Sequence, residues 1–252
     1  MRNLRAAFAF LTRIPVPASA GEPFPLTSAV PWFPLVGACV GAAVGGAVAG
    51  LVHLVPPIVA AAVGVVFGVA VTGAFHEDGL ADVADAFVGG WTREDRMRIL
   101  DDPRHGSYGV AALCGSIVVR VVCVAALGVS PAVAFACVLA AHALGRCAAV
   151  GLMITMPTAS REGLAARATQ ALPRRSVIVG IAVGVAAAGA ATGWWIGPLA
   201  VAALVAAVGV GWYAQRKIGG ITGDVLGAAE QLAECLVLVT ATGLAMRSSL
   251  WW

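Results

Sequence analysis

Long apolar stretches, separated by short polar segments, run along most of this 252-residue chain. Each stretch is close to the roughly 20 residues that an α-helix needs to cross a bilayer. The pattern predicts an all-α fold, a polytopic transmembrane helical bundle of about seven spans, of which the sixth is the shortest. The predicted spans lie near residues 34–54, 57–75, 109–128, 131–152, 177–195, 197–213 and 225–246.

The overall composition agrees with a membrane protein. Apolar residues make up 60% of the chain and charged residues only 12%, against about 25% charged in a typical soluble domain. Basic loops at a membrane surface explain the net charge of +3, so we expect a lipid bilayer, and no nucleic acid, as a partner. We interpret residues 1–252 as one integral membrane domain. Residues 1–13 alternate Arg with Phe and Leu without a cleavable signal pattern, which predicts an interfacial helix.

The basic residues lie in alternate connections between the predicted spans. Thirteen of the 16 Lys and Arg residues precede the first span or follow the second, fourth and sixth. The connections near 54–57, 128–131 and 195–198 contain no Lys or Arg. Because cytoplasmic loops are enriched in these residues, we expect the N-terminus and the long loops on the cytoplasmic side of a bacterial inner membrane. The C-terminus would then lie outside.

The longest polar segment, residues 76–108, is predicted to form an acidic cytoplasmic loop with short helices. Asp78, Asp82 and Asp85 stand at i, i+4 and i+7 and would project from one helix face. Like charges at such spacing repel by roughly 0.2–0.5 kcal/mol per exposed pair. Mg²⁺ prefers carboxylate oxygens and shares them with substrate phosphates, so we predict a Mg²⁺ site here, with Glu77 as a further candidate ligand. A solvated acidic segment is the alternative.

A second candidate site is the segment Gly219–Asp224, directly before the last predicted span. Backbone N–H groups at a helix N-terminus and the helix dipole favour an anion, so Gly220 and Thr222 are candidate substrate contacts. Asp224 could hold a metal ion instead. The alternative is an ordinary helix cap with a tight turn, for which Thr and Asp are common choices.

A third candidate is the segment Arg104–Gly109. Arg104 could bind a phosphate through two parallel hydrogen bonds, and Gly106 would allow the backbone to approach it closely. His76, beside the aspartates, is a further candidate substrate contact. The segment therefore predicts a phosphate-binding loop next to the acidic one.

Ionisable residues also occur inside the predicted spans, at Arg120, His142, Arg146, Glu230 and Glu234. A charge within a bilayer costs at least about 2.5–3.5 kcal/mol on insertion scales, so it normally faces a polar cavity or an opposite charge. Glu230 and Glu234 are the available partners of the arginines. An ion pair and a substrate contact are alternatives for Arg120, Arg146 is a candidate substrate contact, and His142 is interpreted as a packing residue.

Carboxylates for Mg²⁺, arginines for phosphate and a cavity on the cytoplasmic side fit phosphoryl transfer, in which positioning and charge stabilisation supply most of the catalysis. A competing hypothesis is a cation- or proton-coupled transporter, because the charged residues inside the spans could line a path. The acidic cluster lies at a loop boundary rather than inside a span, which favours the enzyme.

Five motifs spread over almost the whole chain resemble those of the cobalamin synthase family, the adenosylcobinamide-GDP ribazoletransferases. The motifs are residues 10–17 (FLTRIPVP), 32–37 (WFPLVG), 76–85 (HEDGLADVAD), 102–109 (DPRHGSYG) and 219–228 (GGITGDVLGA). The aspartate segment is also similar in part to the signature of CDP-alcohol phosphotransferases. That signature's second half is absent, so this similarity implies a related mechanism. A CDP-alcohol phosphotransferase-like enzyme that acts on a lipid or sugar alcohol is a further alternative with the same chemistry.

The resemblance implies a Mg²⁺-dependent membrane enzyme that joins adenosylcobinamide-GDP to α-ribazole or its 5′-phosphate and releases GMP. It implies that a ribose hydroxyl attacks the phosphorus attached to cobinamide while metal held by Asp78, Asp82 and Asp85 neutralises the diphosphate. Asp102 and Asp224 would be further ligands or general bases, and Asp82, Asp85 and Asp102 the catalytic carboxylates. The sequence leaves the oligomeric state open.

Overall fold

The chain is all-α. A computed structural model describes residues 2–16, 26–160, 163–169 and 172–249, and these contain twelve α-helices and no strand. The helices are α1 (Arg2–Leu11), α2 (Leu26–Ala29), α3 (Phe33–Leu51), α4 (Pro57–Thr72), α5 (Phe75–Gly89), α6 (Arg93–Leu100), α7 (Ser107–Leu127), α8 (Pro131–Thr155), α9 (Leu164–Thr169), α10 (Arg174–Thr192), α11 (Ile196–Ile218) and α12 (Gly223–Ala245). The predicted helix at the N-terminus and the short helices of the loops are among them. Met1, Arg161 and residues 250–252, on which parts of the predicted topology rest, lie outside the described residues.

Helix α8 is the centre of the bundle and packs against α3, α10 and α12. Small residues bring α3 close to it, since a Cβ on Gly37 would lie 2.5 Å from the His142 carbonyl oxygen. A Cβ on Gly45 would lie 2.9 Å from the Phe135 carbonyl oxygen. These contacts are typical of close helix packing in membranes. Because the later glycine of α3 contacts the earlier residue of α8, the two helices are antiparallel, and the start of α3 lies beside the end of α8.

Five helical segments among the described residues are long and apolar enough to cross a membrane, or six if α4 and α5 count as one broken span. The five are Leu26–Leu51, Ser107–Leu127, Pro131–Thr155, Arg174–Ile218 and Gly223–Ala245. The predicted polytopic membrane bundle is therefore confirmed. The number of seven spans is close to this count but is not confirmed.

The first difference from the predicted spans lies in the 45-residue segment Arg174–Ile218. A 3₁₀ turn at Gly193–Trp195 divides it, and Gly193 has φ 58°. Gly180 near the start of α10 packs against Pro31, and Gly211 near the end of α11 packs against Met156. Both contacts lie at the end of the bundle where α8 terminates, so the chain reverses direction at the turn.

The second difference is the junction between α4 and α5. Gly73 and Ala74 both adopt left-handed backbone conformations, with φ of 69° and 58°, and the two helices meet at 90°. The 16-residue α4 is about 24 Å long, shorter than a hydrocarbon core of about 30 Å. The backbone N–H of Arg13 donates to the Val71 carbonyl at 2.7 Å and ties the chain after α1 to this junction. The bend aims α5, with its carboxylates, along the end of the bundle.

Candidate active site

The predicted face of aspartates exists on α5. His105, from the loop before α7, lies between two of these residues: its ring nitrogens are 3.4 Å from Asp78 Oδ1 and 3.3 Å from Asp82 Oδ1. The Asp78 side chain is 63% exposed, whereas that of Asp82 is 14% exposed. The histidine ring therefore lies between an exposed and a largely buried carboxylate of the same helix face.

Asp85, the third residue of this face, has a different environment. It is buried, and its two carboxylate oxygens accept hydrogen bonds from the backbone N–H groups of Gly106 at 2.6 Å and of Gly109 at 2.9 Å. A Cβ on Gly109 would lie 2.2 Å from Asp85 Oδ2, so only glycine leaves room for this contact. Asp85 thereby neutralises the positive N-terminus of α7 and fixes the loop that carries His105. Gly106 contacts this carboxylate in the structure, and substrate binding by Gly106 stays a prediction.

The second predicted segment meets the first at the start of α12. Thr222 caps this helix by accepting a hydrogen bond from the Val225 N–H at 3.3 Å, and its hydroxyl donates to Asp224 Oδ2 at 3.2 Å. Gly79 of α5 lies so close that a Cβ would be 2.8 Å from the Asp224 carbonyl oxygen. The cap that the sequence offered as an alternative is present, and it holds Asp224 beside the aspartates of α5.

Gly220 lies where two backbone segments approach each other closely, rather than at an open anion-binding site. The Ile221 N–H donates to the Pro157 carbonyl, and the Ala159 N–H donates to the Ile221 carbonyl, each at 2.9 Å. A Cβ on Gly220 would lie 2.4 Å from the Pro157 carbonyl oxygen. This close pairing accounts for the glycine, and substrate binding by Gly220 stays a prediction.

The aspartates have little positive charge around them. Within the part of the chain that the structure describes, no Lys or Arg forms an ion pair with Asp78, Asp82, Asp85 or Asp224. Asp82 instead experiences the like charges of Asp78, Asp224 and Asp85, and His105 is its nearest compensating group. An arrangement of this kind favours a bound cation.

Asp102 and Arg104 are paired with each other at the surface. Arg104 donates from Nη2 to Asp102 Oδ2 at 2.7 Å and from Nε to Asp102 Oδ1 at 2.9 Å. These hydrogen bonds from the guanidinium lower the pKa of Asp102 to about 2. A carboxylate with so low a pKa is a weak general base. The pairing therefore does not support Asp102 as a base, nor Arg104 as a free phosphate clamp.

A separate charged cluster lies inside the bundle. Arg120 Nη1 is 3.0 Å from Glu77 Oε1 and 3.5 Å from Glu234 Oε2, and Arg146 pairs with both Glu230 and Glu234. All five side chains are at most 6% exposed. The predicted partnership of the arginines with the two glutamates of α12 is confirmed. Glu77, a predicted metal ligand, pairs with Arg120 instead.

The cluster also contains three groups that could in principle bind a metal ion. His142, Glu230 and Glu234 present ligand atoms within 4.8 Å of one another, which no other such group among the described residues does. His142 Nδ1 is 2.5 Å from Glu234 Oε1. Arg146 Nη1, however, contacts all three side chains. A guanidinium already supplies the positive charge at this position.

A cavity of about 490 Å³ joins the two clusters. Five predicted site residues border it, namely Asp78, His76, Arg146, Thr222 and Asp224. His105 was missed, because one histidine in a glycine-containing loop gives a weak signal. Three phenylalanines also border the cavity, namely Phe10, Phe33 and Phe75. Nothing in the sequence distinguishes them from ordinary apolar residues of a membrane protein.

A helical membrane bundle with acidic groups at the edge of a ligand-sized cavity defines the class of a membrane-embedded enzyme. The chain belongs to the cobalamin-5-phosphate synthase family, whose family model matches residues 3–242. It is thereby a transferase of cobalamin biosynthesis, as its motifs indicated. This assignment removes the support for the transporter hypothesis.

Curated relatives agree over almost the full length. The chain is 43% identical over 242 residues to an adenosylcobinamide-GDP ribazoletransferase from Ralstonia nicotianae, covering 94% of this chain and 93% of the relative. It is 36% identical over 245 residues to the protein of the same description from Chlorobaculum tepidum, with 96% and 95% covered. No solved structure matches the chain.

Proposed function

We propose that the chain joins adenosylcobinamide-GDP to α-ribazole or α-ribazole 5′-phosphate and releases GMP. The names of the relatives supply the substrates. In the proposed reaction, a ribose hydroxyl oxygen of the acceptor attacks the phosphorus attached to cobinamide. The bond from that phosphorus to the GMP oxygen breaks, and the hydroxyl loses its proton. One diphosphate bond is thus exchanged for one phosphodiester bond.

The acidic site is suited to Mg²⁺, for which Asp78, Asp82 and Asp224 are the proposed ligands. All three offer hard carboxylate oxygens, and none forms an ion pair with a Lys or Arg among the described residues. Their oxygens do not converge within 4.8 Å, which suits an ion that keeps several waters and takes further ligands from substrate phosphates. When bound, Mg²⁺ would supply positive charge to the diphosphate and the departing GMP.

The remaining site residues position these groups. Asp85 holds the loop of Gly106 and Gly109, and that loop carries the His105 ring to Asp78 and Asp82. In our proposal Asp85 is therefore a positioning residue rather than a ligand. Thr222, His76 and Arg146 border the cavity and are the proposed substrate contacts.

We further propose that the site faces the cytoplasm of a bacterium, with the chain in the inner membrane and the C-terminus outside. Support comes from the basic residues of the loops: Arg93 donates to the carbonyls of Ile218 and Ala159, and Arg96 to that of Lys217. These groups lie at the same end of the bundle as the aspartates. An excess of Lys and Arg marks the cytoplasmic side, which is also where nucleotide substrates are made.

The observation that carries the proposal is a group of aspartates, Asp78, Asp82 and Asp224, that pair with no Lys or Arg among the described residues and lie beside a cavity in a chain of this family. The test uses detergent-purified protein with adenosylcobinamide-GDP, α-ribazole and Mg²⁺, with and without EDTA. We expect equal amounts of GMP and a cobalamin product with Mg²⁺, and neither with EDTA. Product formation that persists in EDTA would contradict the metal assignment, and no product from folded protein would contradict the proposed reaction.

A further inference from the structure

Part of the cavity lining is apolar and is not used by the chemistry at the aspartates. Phe10 and Phe33 stack with ring centroids 5.4 Å apart and an interplanar angle of 7°, and Phe75 meets Phe10 edge-on at 5.2 Å. Met97 and Met153 also border this space. Aromatic rings and thioethers bind flat apolar rings well, through stacking and dispersion.

The lining also contains polar groups next to these rings, since the His76 ring meets Phe75 edge-on at 5.2 Å. His76 Nδ1 and Arg146 Nε form no hydrogen bond with any described residue, although these residues are only 5% and 3% exposed. The carboxylate oxygen Glu230 Oε2 lies 3.8 Å from His76 Nδ1, beyond hydrogen-bond distance. Buried polar atoms are normally hydrogen-bonded. Asp78 and Asp224 border the same cavity, so a ligand with an apolar ring at one end and hydroxyl groups at the other would match both parts of the lining.

The size of the cavity limits which substrate it holds. About 490 Å³ falls in the range of about 300–1,000 Å³ that takes one drug-sized ligand. A corrinoid with its adenosyl group and side chains is far larger, so the donor cannot enter as a whole. The guanine of the donor carries several hydrogen-bonding groups at its edge, and these would be left unpaired among the phenylalanines.

We propose that this cavity is the binding site of the acceptor nucleoside, with its benzimidazole base packed against the wall formed by Phe10, Phe33 and Met153 and its ribose toward His76 and Asp224. This inference rests on the proposed function. The corrinoid donor then approaches from the exposed side of Asp78 and His105, and the two substrates meet at the aspartates. The apolar wall makes the cavity selective for the base of the acceptor.

The test fills the cavity from α8. Ala149 borders it, so Ala149→Phe should exclude the base, while Ala132→Phe, exposed at the far end of the same helix, is the matched control. We expect Ala149→Phe to raise KM for α-ribazole at least about tenfold, equivalent to about 1.4 kcal/mol, with KM for adenosylcobinamide-GDP unchanged. Ala132→Phe should change neither value. Equilibrium dialysis of α-ribazole without donor should show the same loss for Ala149→Phe alone.

The outcomes separate the two proposals. A rise in KM for the donor alone would place the guanosine in the cavity. Unchanged KM values together with unchanged dialysis would show that neither substrate binds there, as expected of a cavity occupied by lipid. Either result overturns the inference. Wild-type protein that binds α-ribazole but makes no product would contradict only the proposed reaction. If Ala149→Phe does not fold, Phe10→Leu removes one ring of the wall, and the same rise in KM for α-ribazole is expected.

Discussion

Two groups of carboxylates lie side by side in this protein and are compensated in different ways. Glu77, Glu230 and Glu234 are buried in the bundle and pair with Arg120 and Arg146. Asp78, Asp82 and Asp224 lie at the end of the bundle, and among the described residues their only ion-pair partner is His105. The division runs between adjacent residues, since Glu77 belongs to the first group and Asp78 to the second.

The two groups differ in role: the buried glutamates stabilise the fold, whereas we propose that the aspartates take part in the reaction. A charge inside a membrane protein needs an opposite charge within the fold, because the bilayer supplies none. The buried group meets this requirement with arginines and can therefore hold α5, α7, α8 and α12 together without a ligand. The aspartates have no such partner among the described Lys and Arg residues, so in our proposal their charge binds a cation, and the cation in turn meets the substrate phosphates.

The largest effect is expected from Asp82→Asn. Removing this carboxylate charge should abolish turnover, a loss of at least about 10⁴-fold in kcat, because the metal would lose a central ligand. Folding should be kept, since Asp82 is partly exposed and, of the residues that the structure describes, pairs only with His105. GMP release and thermal unfolding measure the two quantities. Glu94→Gln, at an exposed position of α6, should keep full activity, and aggregation of Asp82→Asn would instead indicate a structural role.

Substitution in the buried group should lower the stability of the protein, whereas substitution of Asp82 should lower its activity. Arg120→Met leaves Glu77 and Glu234 without one positive partner, so we expect the free energy of unfolding to fall by about 3–5 kcal/mol. Adding Glu77→Gln should recover part of this loss, because it removes one uncompensated charge. Denaturation in mild detergent gives the values. Full stability of the single variant would show that Arg120 is not needed to balance the cluster.

A smaller effect is expected beside the aspartates, at the contact of Asp85 with Gly106 and Gly109. Gly109→Ala places a Cβ 2.2 Å from Asp85 Oδ2, which should displace the His105 loop and lower kcat about 10- to 100-fold. Gly115→Ala on the same helix meets no atom within 4 Å and should keep full activity. Equal activity of the two variants would show that the contact of Asp85 with Gly109 does not position the site.

The smallest effect is expected from Arg104→Lys. Arg104 is 86% exposed and bound to Asp102, and exposed ion pairs contribute little. We expect KM for adenosylcobinamide-GDP to change less than about twofold. A large rise in this KM would indicate that Arg104 binds a substrate phosphate and that its pair with Asp102 opens for the substrate.

Two features could be predicted from the sequence. The shared face of Asp78, Asp82 and Asp85 follows from helical periodicity, and the partnership of Arg146 with Glu230 follows from the cost of a buried charge. Features that depend on how the chain turns could not be predicted. The 90° bend at Ala74, the backbone contacts of Asp85 with Gly109 and the pairing of Arg104 with Asp102 depend on the path of the loops, which hydropathy does not encode.

The central claim is that the aspartates at the end of the bundle, and not the buried glutamates, bind the divalent cation. Electron paramagnetic resonance of Mn²⁺, titrated into purified protein with adenosylcobinamide-GDP, measures it directly. We predict a bound-Mn²⁺ signal for wild type, its loss in Asp82→Asn and its retention in Glu77→Gln of verified fold. Retention of the signal in Asp82→Asn, or its loss in folded Glu77→Gln, would contradict the account.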